Sequence, residues 1–266
     1  MSVSESVSGD GLRKCVLIDG RAALLDIRFG GEYADCSVDT ADIFAAHRAI
    51  IRILGLGADA AGFERQFRAD ELLGLTIARQ QGLRIPLTPQ PWEALAWAIM
   101  GQQISLKAAV ALRRELIMHA GNAHPIGLRA HPSAEAVAGF NVETLRRLKF
   151  SGSKAEYLLA AARAVASGEL PLATMRKMSA RRAARLLSAI RGVGPWTVQY
   201  VFLRGLGFAD CLPAGDTGLA QGLGRLCGER PGELQIRELM ARFAPYRSLA
   251  TCHVWATLKG RADDAN

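Results

Sequence analysis

The sequence predicts an α+β protein: a small N-terminal antiparallel sheet carrying one helix, followed by an all-α region. Three observations lead there. Apolar and polar residues alternate in the first 85 residues, with the period of a strand where Leu25, Ile27 and Phe29 interleave with Asp26 and Arg28. From residue 86 onward the apolar spacing becomes helical throughout. Gly, Pro and capping residues then punctuate the chain at helix-length intervals. The expected division is an α+β domain over 1–85 and a helical domain over 86–266.

Residues 14–18 (KCVLI) read as a strand. Leu25, Ile27 and Phe29 interleave with Asp26 and Arg28, the pattern of a half-buried strand. Gly30-Gly31 offers a tight turn, and 33–38 can return as the partner strand. Asp39 or Thr40 is placed to cap a helix whose Ile43, His47, Ile50, Ile51 and Leu54 share a face and which stops at Gly55. In the second region Pro91 suits the first turn of a helix over 91–101, and Ser105 can cap 106–120. Ser153 to Glu156 has the form of a capping box for a helix ending before Gly168. Ser179 caps 180–190, a Gly-rich turn follows, and further helices are expected at 196–206, 217–227, 233–243 and 247–259.

A chain of 266 residues and 28.6 kDa, half hydrophobic and 22% charged, can bury a core and is not disordered. No apolar run reaches the length of a membrane span, so no membrane association is expected. The first ten residues are polar and do not read as a secretory signal, which points to the cytoplasm. Five scattered cysteines, none in a C-x-x-C pair, speak against a disulfide framework or a zinc ribbon. The histidines show no metal-ligand spacing, and His119, His124 and His131, lying among Gly, Asn and Pro, read as a polar loop.

Charge says more. Residues 1–85 carry 10 basic and 12 acidic side chains, whereas 86–266 carry 23 and 13. Between 170 and 209 stand Arg176, Lys177, Arg181, Arg182, Arg185, Arg191 and Arg204, with no acidic residue. Such a field favours a polyanionic partner, with nucleic acid the first candidate and a solvated helix face the plain alternative. Inside this stretch an apolar helix enters Gly192-Val193-Gly194 and another leaves at once. The glycines let the backbone turn sharply while Val193 anchors the turn, and amides at the next helix start can bind a phosphate. Asp216 follows Gly194 by 22 residues, in a Pro-Ala-Gly-Asp-Thr-Gly turn ahead of another helix.

These residues resemble the helix-hairpin-helix superfamily of DNA glycosylases, and within it the bacterial 3-methyladenine DNA glycosylase II group. The resemblance runs over nearly the whole chain: Ile99 to Ser105, the hairpin at 191–197, Asp216, and the closing Tyr246-Arg247-Ser248 and His253-Val254-Trp255. It implies a helix-hairpin-helix glycosylase fold and an essential carboxylate at Asp216, which would stabilise oxocarbenium character at the sugar and orient the attacking water. It places Trp196, Tyr200 and Trp255 around the base, with Gln102 nearby, whereas Trp92 and Trp97 are expected in the core. Where strand-cleaving members carry a Schiff-base lysine, this chain has Trp196, which implies hydrolysis without lyase activity. Gln103 takes the place of the wedge that fills the gap left by an extruded base. Gly192, Gly194 and Thr197 would offer amides to DNA, with Val193 in the same turn. Carbonyls of Ser188, Arg191 and Val193 match those that can hold a monovalent cation. Arg191 stands where a Pro is common.

No other cofactor, and no iron–sulfur cluster, is expected, and the partner is double-stranded DNA containing alkylated bases, met by a monomer. The expected activity is excision of 3-methyladenine and 7-methylguanine in base excision repair. The alternatives are a glycosylase for oxidised or deaminated bases and a non-catalytic DNA-binding module.

Overall fold

The computed structural model describes residues 2–258 and has the α+β class that the sequence predicts. Strands β1 (Glu5–Ser8), β2 (Gly11–Ile18), β3 (Arg21–Phe29) and β4 (Ala34–Val38) form one antiparallel sheet in sequence order. In β3 the buried residues are Ala23, Leu25 and Ile27, the alternation of a sheet with one covered face. Strand β1 pairs Glu5 with Lys14 in β2 and is the element that sequence periodicity missed. Its ESVS sequence is polar, and three of its four residues are exposed.

The helices are α1 (Ile43–Ile53), α2 (Ala60–Phe67), α3 (Gly74–Arg79), α4 (Pro91–Gly101), α5 (Leu106–Ala120), α6 (Ala134–Ala138), α7 (Val142–Arg147), α8 (Gly152–Ala166), α9 (Leu172–Met175), α10 (Ala180–Ser188), α11 (Pro195–Tyr200), α12 (Thr217–Cys227), α13 (Glu233–Ala241) and α14 (Arg247–Ala256). Helix α11 continues as a π-helical stretch over Val201–Leu206. Two caps differ from expectation. Asp42, not Asp39 or Thr40, accepts the Ala45 amide at the start of α1, because the Asp39 carboxylate is taken by the Leu24 amide and His124. Ser151, not Ser153, caps α8 through the Lys154 amide, while Glu156 pairs with Arg191 at 3.1 Å. The short helices α2, α3, α6, α7 and α9 go beyond what the helical spacing predicts. Lys259, the last residue of the expected 247–259 helix, lies outside the described residues.

The chain forms two compact units, and they are not 1–85 and 86–266. The first unit runs to Ile53 and resumes over Thr88–Val193; the second takes Leu54–Leu87 and the chain from Gly194. Polar ties bind the sheet to the helices of the first unit. Both terminal nitrogens of Arg113 donate to Ser4 Oγ, the Arg129 amide donates to Val3, and Gln90 reaches the Leu17 carbonyl. Around the long α8 pack α4, α6 and α7. In the second unit, Phe67 lies 5.1 Å from both Phe63 and Phe243. His253 stacks on Phe63 at 5.2 Å, with Nδ1 3.1 Å from Gln80 Oε1. This aromatic cluster draws 54–87 to the C-terminal helices, a long-range pairing that local composition does not reveal. Among the described residues no helix is long and apolar enough to cross a membrane.

His131 is buried rather than in a polar loop, with Nδ1 against the Pro132 carbonyl. Burial and the nearby Arg113 charge push its pKa down to about 3, and burial alone pushes His253 to about 4. In the unfolded chain both titrate near 6.5. Below that pH the unfolded state takes up protons that the folded state refuses, so stability falls as pH drops from about 6.5 to 5. Each histidine contributes a slope of up to about 1.4 kcal/mol per pH unit in that window. Urea midpoints measured across it should show the loss, and His131→Gln should reduce the slope.

Candidate active site

Asp216 is the N-cap of α12, where its Oδ1 accepts the Leu219 amide at 2.7 Å. The same oxygen accepts the Trp255 indole N–H at 2.9 Å, and Oδ2 accepts that of Trp196 at 3.0 Å. Three N–H donors therefore fix the plane of a half-buried carboxylate. Tyr200, one helical turn beyond Trp196, completes the wall: its ring centre is 5.4 Å from Trp196 and 6.4 Å from Trp255. All three rings are half-buried, so their faces are not consumed by the core.

Two glycines on one face of α12 permit this arrangement, and sequence reasoning missed both. A Cβ on Gly222 would lie 2.6 Å from Val254 Cγ1 and 2.7 Å from the Val254 carbonyl oxygen. Helices α12 and α14 therefore pack backbone to backbone, which brings the end of α14 to Asp216. One turn earlier, a Cβ on Gly218 would stand 3.1 Å from Asp216 Oδ1 and 3.5 Å from the Trp255 indole nitrogen. The signal was available as a Gly-x-x-x-Gly spacing directly after the aspartate.

The hairpin follows α10, whose Arg181, Arg182 and Arg185 are exposed along with Arg176, Lys177 and Arg191; Arg204 is half-buried. Gly192 has φ +85, a left-handed conformation that favours glycine, and its missing side chain faces the Tyr157 ring. Val193 is 7% exposed and its amide donates to the Ile190 carbonyl, so it anchors the turn and has no N–H to offer a phosphate. Gly194 is the N-cap of α11, with Pro195 at N1 and no side chain to close the turn. Thr197 is buried.

Residues 96–245 match the model of a family described as HhH-GPD superfamily base excision DNA repair protein. The chain belongs to this superfamily. It is 32% identical over 208 residues to a protein of Bacillus subtilis named DNA-3-methyladenine glycosylase, across 76% of this chain and 69% of that one. The solved 3-methyladenine DNA-glycosylase of Archaeoglobus fulgidus superposes with a TM-score of 0.84 at 25% identity, covering 95% of this chain and 88% of its own. The Schizosaccharomyces pombe 3-methyladenine DNA glycosylase, solved in complex with abasic DNA, gives 0.60 at 25% identity, over 80% and 97% of the two chains.

For this HhH-GPD chain the structure brings Asp216, Trp196, Tyr200 and Trp255 together in the second unit. Gln102 and Gln103 belong to the first. Gln102 is the C-cap of α4, and its Nε2 donates to the Gly192 carbonyl at 2.8 Å, so it ties this turn to the hairpin. Gln103 is exposed and held at φ +54. Trp92 is buried, with its indole on the Pro132 carbonyl, as expected of a core residue; Trp97 is half-buried.

Proposed function

We propose that this HhH-GPD protein excises alkylated purines, chiefly 3-methyladenine and 7-methylguanine, from double-stranded DNA by hydrolysing the N-glycosidic bond. The observation that carries the reading is the carboxylate of Asp216 held by two indole N–H groups inside a wall of three aromatic rings. A purine methylated on a ring nitrogen is cationic, and an electron-rich wall attracts it by about 2 kcal/mol once desolvated. When the bond from C1′ breaks, its electron pair leaves with the base and neutralises it. The sugar becomes an oxocarbenium ion, which the negative carboxylate stabilises. Water then adds at C1′ and its proton passes to Asp216 or to solvent.

Trp196 occupies the position where an amine would be needed for Schiff-base chemistry, which supports release of the base without strand cleavage. The amides of Gly192, Gly194 and Thr197 are assigned to DNA phosphates, and the exposed arginines of α10 supply a positive field for the same polyanion. Gln103, presented on a left-handed turn, is assigned as the wedge that replaces the extruded base. Carbonyls of Ser188, Arg191 and Val193 suit a monovalent cation as neutral oxygen donors, whereas the Leu187 and Ile190 carbonyls accept amides of the turn itself. The protein is expected to act as a monomer.

The test is a profile of free bases released from randomly methylated duplex DNA, with a strand-nicking assay and borohydride trapping alongside. Methylated adenine and guanine should be freed, with no nick and no trapped adduct. Preferential release of 8-oxoguanine or hypoxanthine would overturn the substrate assignment.

A further inference from the structure

The turn between α4 and α5 carries a non-glycine residue in a left-handed conformation. Gln103 has a side chain yet sits at φ +54, a left-handed conformation that strains a non-glycine residue. Glycine would adopt it without strain. The carbonyl just before it is held by the ammonium of Lys154, on the first turn of α8. Its Nζ donates to the carbonyls of Met100 at 2.8 Å, Ile99 at 3.5 Å and Gln102. An ammonium has three hydrogens, and here three acceptors converge on it. Two of those carbonyls belong to the last turn of α4, where a positive charge also meets the negative end of the helix. The third, that of Gln102, lies in the same rigid peptide plane as the Gln103 amide. Pinning that oxygen fixes the plane from which φ of Gln103 is measured. The Gln102 side chain is tied in turn to the Gly192 carbonyl. Burial lowers the pKa of Lys154.

We propose that Lys154 is a positioning residue for DNA, one that locks the Gln102–Gln103 turn in its left-handed form and so presents the Gln103 side chain ready to enter the duplex. The inference rests on the assignment of Gln103 as the wedge. Lys154 itself touches neither base nor sugar; it removes the cost of ordering the turn at the moment the base is extruded.

The experiment compares one methylated base in two settings: paired in a duplex, and in a bulge where it is already unstacked. Lys154→Met keeps the length of the side chain and deletes the donors. It should lower kcat on the paired lesion by about tenfold or more, with KM for DNA and the rate on the bulge close to parental. Gln103→Ala should likewise lose more on the paired lesion than on the bulge, and the double variant should be no worse than the worse single one. A 2-aminopurine next to the lesion, read by fluorescence without turnover, should show less unstacking in both single variants. Lys154→Gln, which retains two donors, should fall between and serves if the Met variant folds poorly. Equal loss on both substrates, or additive losses in the double variant, would overturn the role of Lys154. If Gln103→Ala leaves the paired lesion unaffected, the wedge assignment falls first and this proposal with it.

Discussion

Asp216→Asn should abolish most base release while leaving the fold and DNA binding in place. Asparagine caps a helix about as well as aspartate, so the Leu219 amide keeps its acceptor and α12 its start. The amide oxygen can still accept the Trp255 indole. Its nitrogen then faces the Trp196 N–H, which had donated to Oδ2, and two donors oppose each other. The change therefore removes the charge that the proposed mechanism sets against the developing cation, and it also loosens one indole. Removing a preorganised electrostatic group costs on the order of 10² to 10³ in rate, and loss of a base in proton transfer costs a similar factor. Single-turnover release from methylated duplex DNA measures the loss. Affinity for a duplex with an abasic-site analogue should stay within a few-fold of the parent or rise slightly, since the variant carries one negative charge fewer against a polyanion. Release at the parental rate would exclude Asp216 as the carboxylate that acts.

The identities of the caged residues were legible in the sequence, and their geometry was not. Asp216, Trp196, Tyr200 and Trp255 could be placed by motif, and the i,i+4 relation of Trp196 to Tyr200 set those two on one helix face. What periodicity could not supply was that both indole N–H edges converge on the carboxylate. That depends on the contact of α12 with α14, which is permitted by Gly222 and Gly218 rather than driven by any apolar pattern. The place of 54–87 was hidden for a related reason. Helices of eight and six residues are too short to show a helical period, and what holds α2 is Phe63 and Phe67 meeting Phe243 far along the chain. Lys154 read only as the interior of a capping box. Its role follows from the three carbonyls it meets, two of them over 50 residues upstream in α4.

The hairpin glycines look alike in sequence, and the structure predicts opposite outcomes for them. Gly192→Ala should be strongly destabilising, by about 3 kcal/mol, from two separate causes. At φ +85 an alanine is strained by on the order of 1 to 3 kcal/mol. Its Cβ would also lie 2.3 Å from Cγ and 2.4 Å from Cδ2 of Tyr157, so the ring on α8 must move, and overpacking of this kind adds 1 to 3 kcal/mol by a rough reckoning. The Gly192 carbonyl, acceptor of the Gln102 side chain, would shift with it. A lowered urea midpoint checks this, and Tyr157→Ala in the same background should recover the clash but not the strain. Gly194 has an ordinary φ of −93, and a Cβ there meets no atom within 4 Å. Gly194→Ala should therefore fold with an unchanged midpoint, and on the proposed phosphate contact its loss should appear in binding, because a methyl group would crowd the amides at the start of α11. A weaker Kd for duplex DNA with an intact midpoint would separate the glycine that the protein needs from the glycine that the DNA needs. Equal destabilisation by the two alanines would show that the hairpin is a packing element alone.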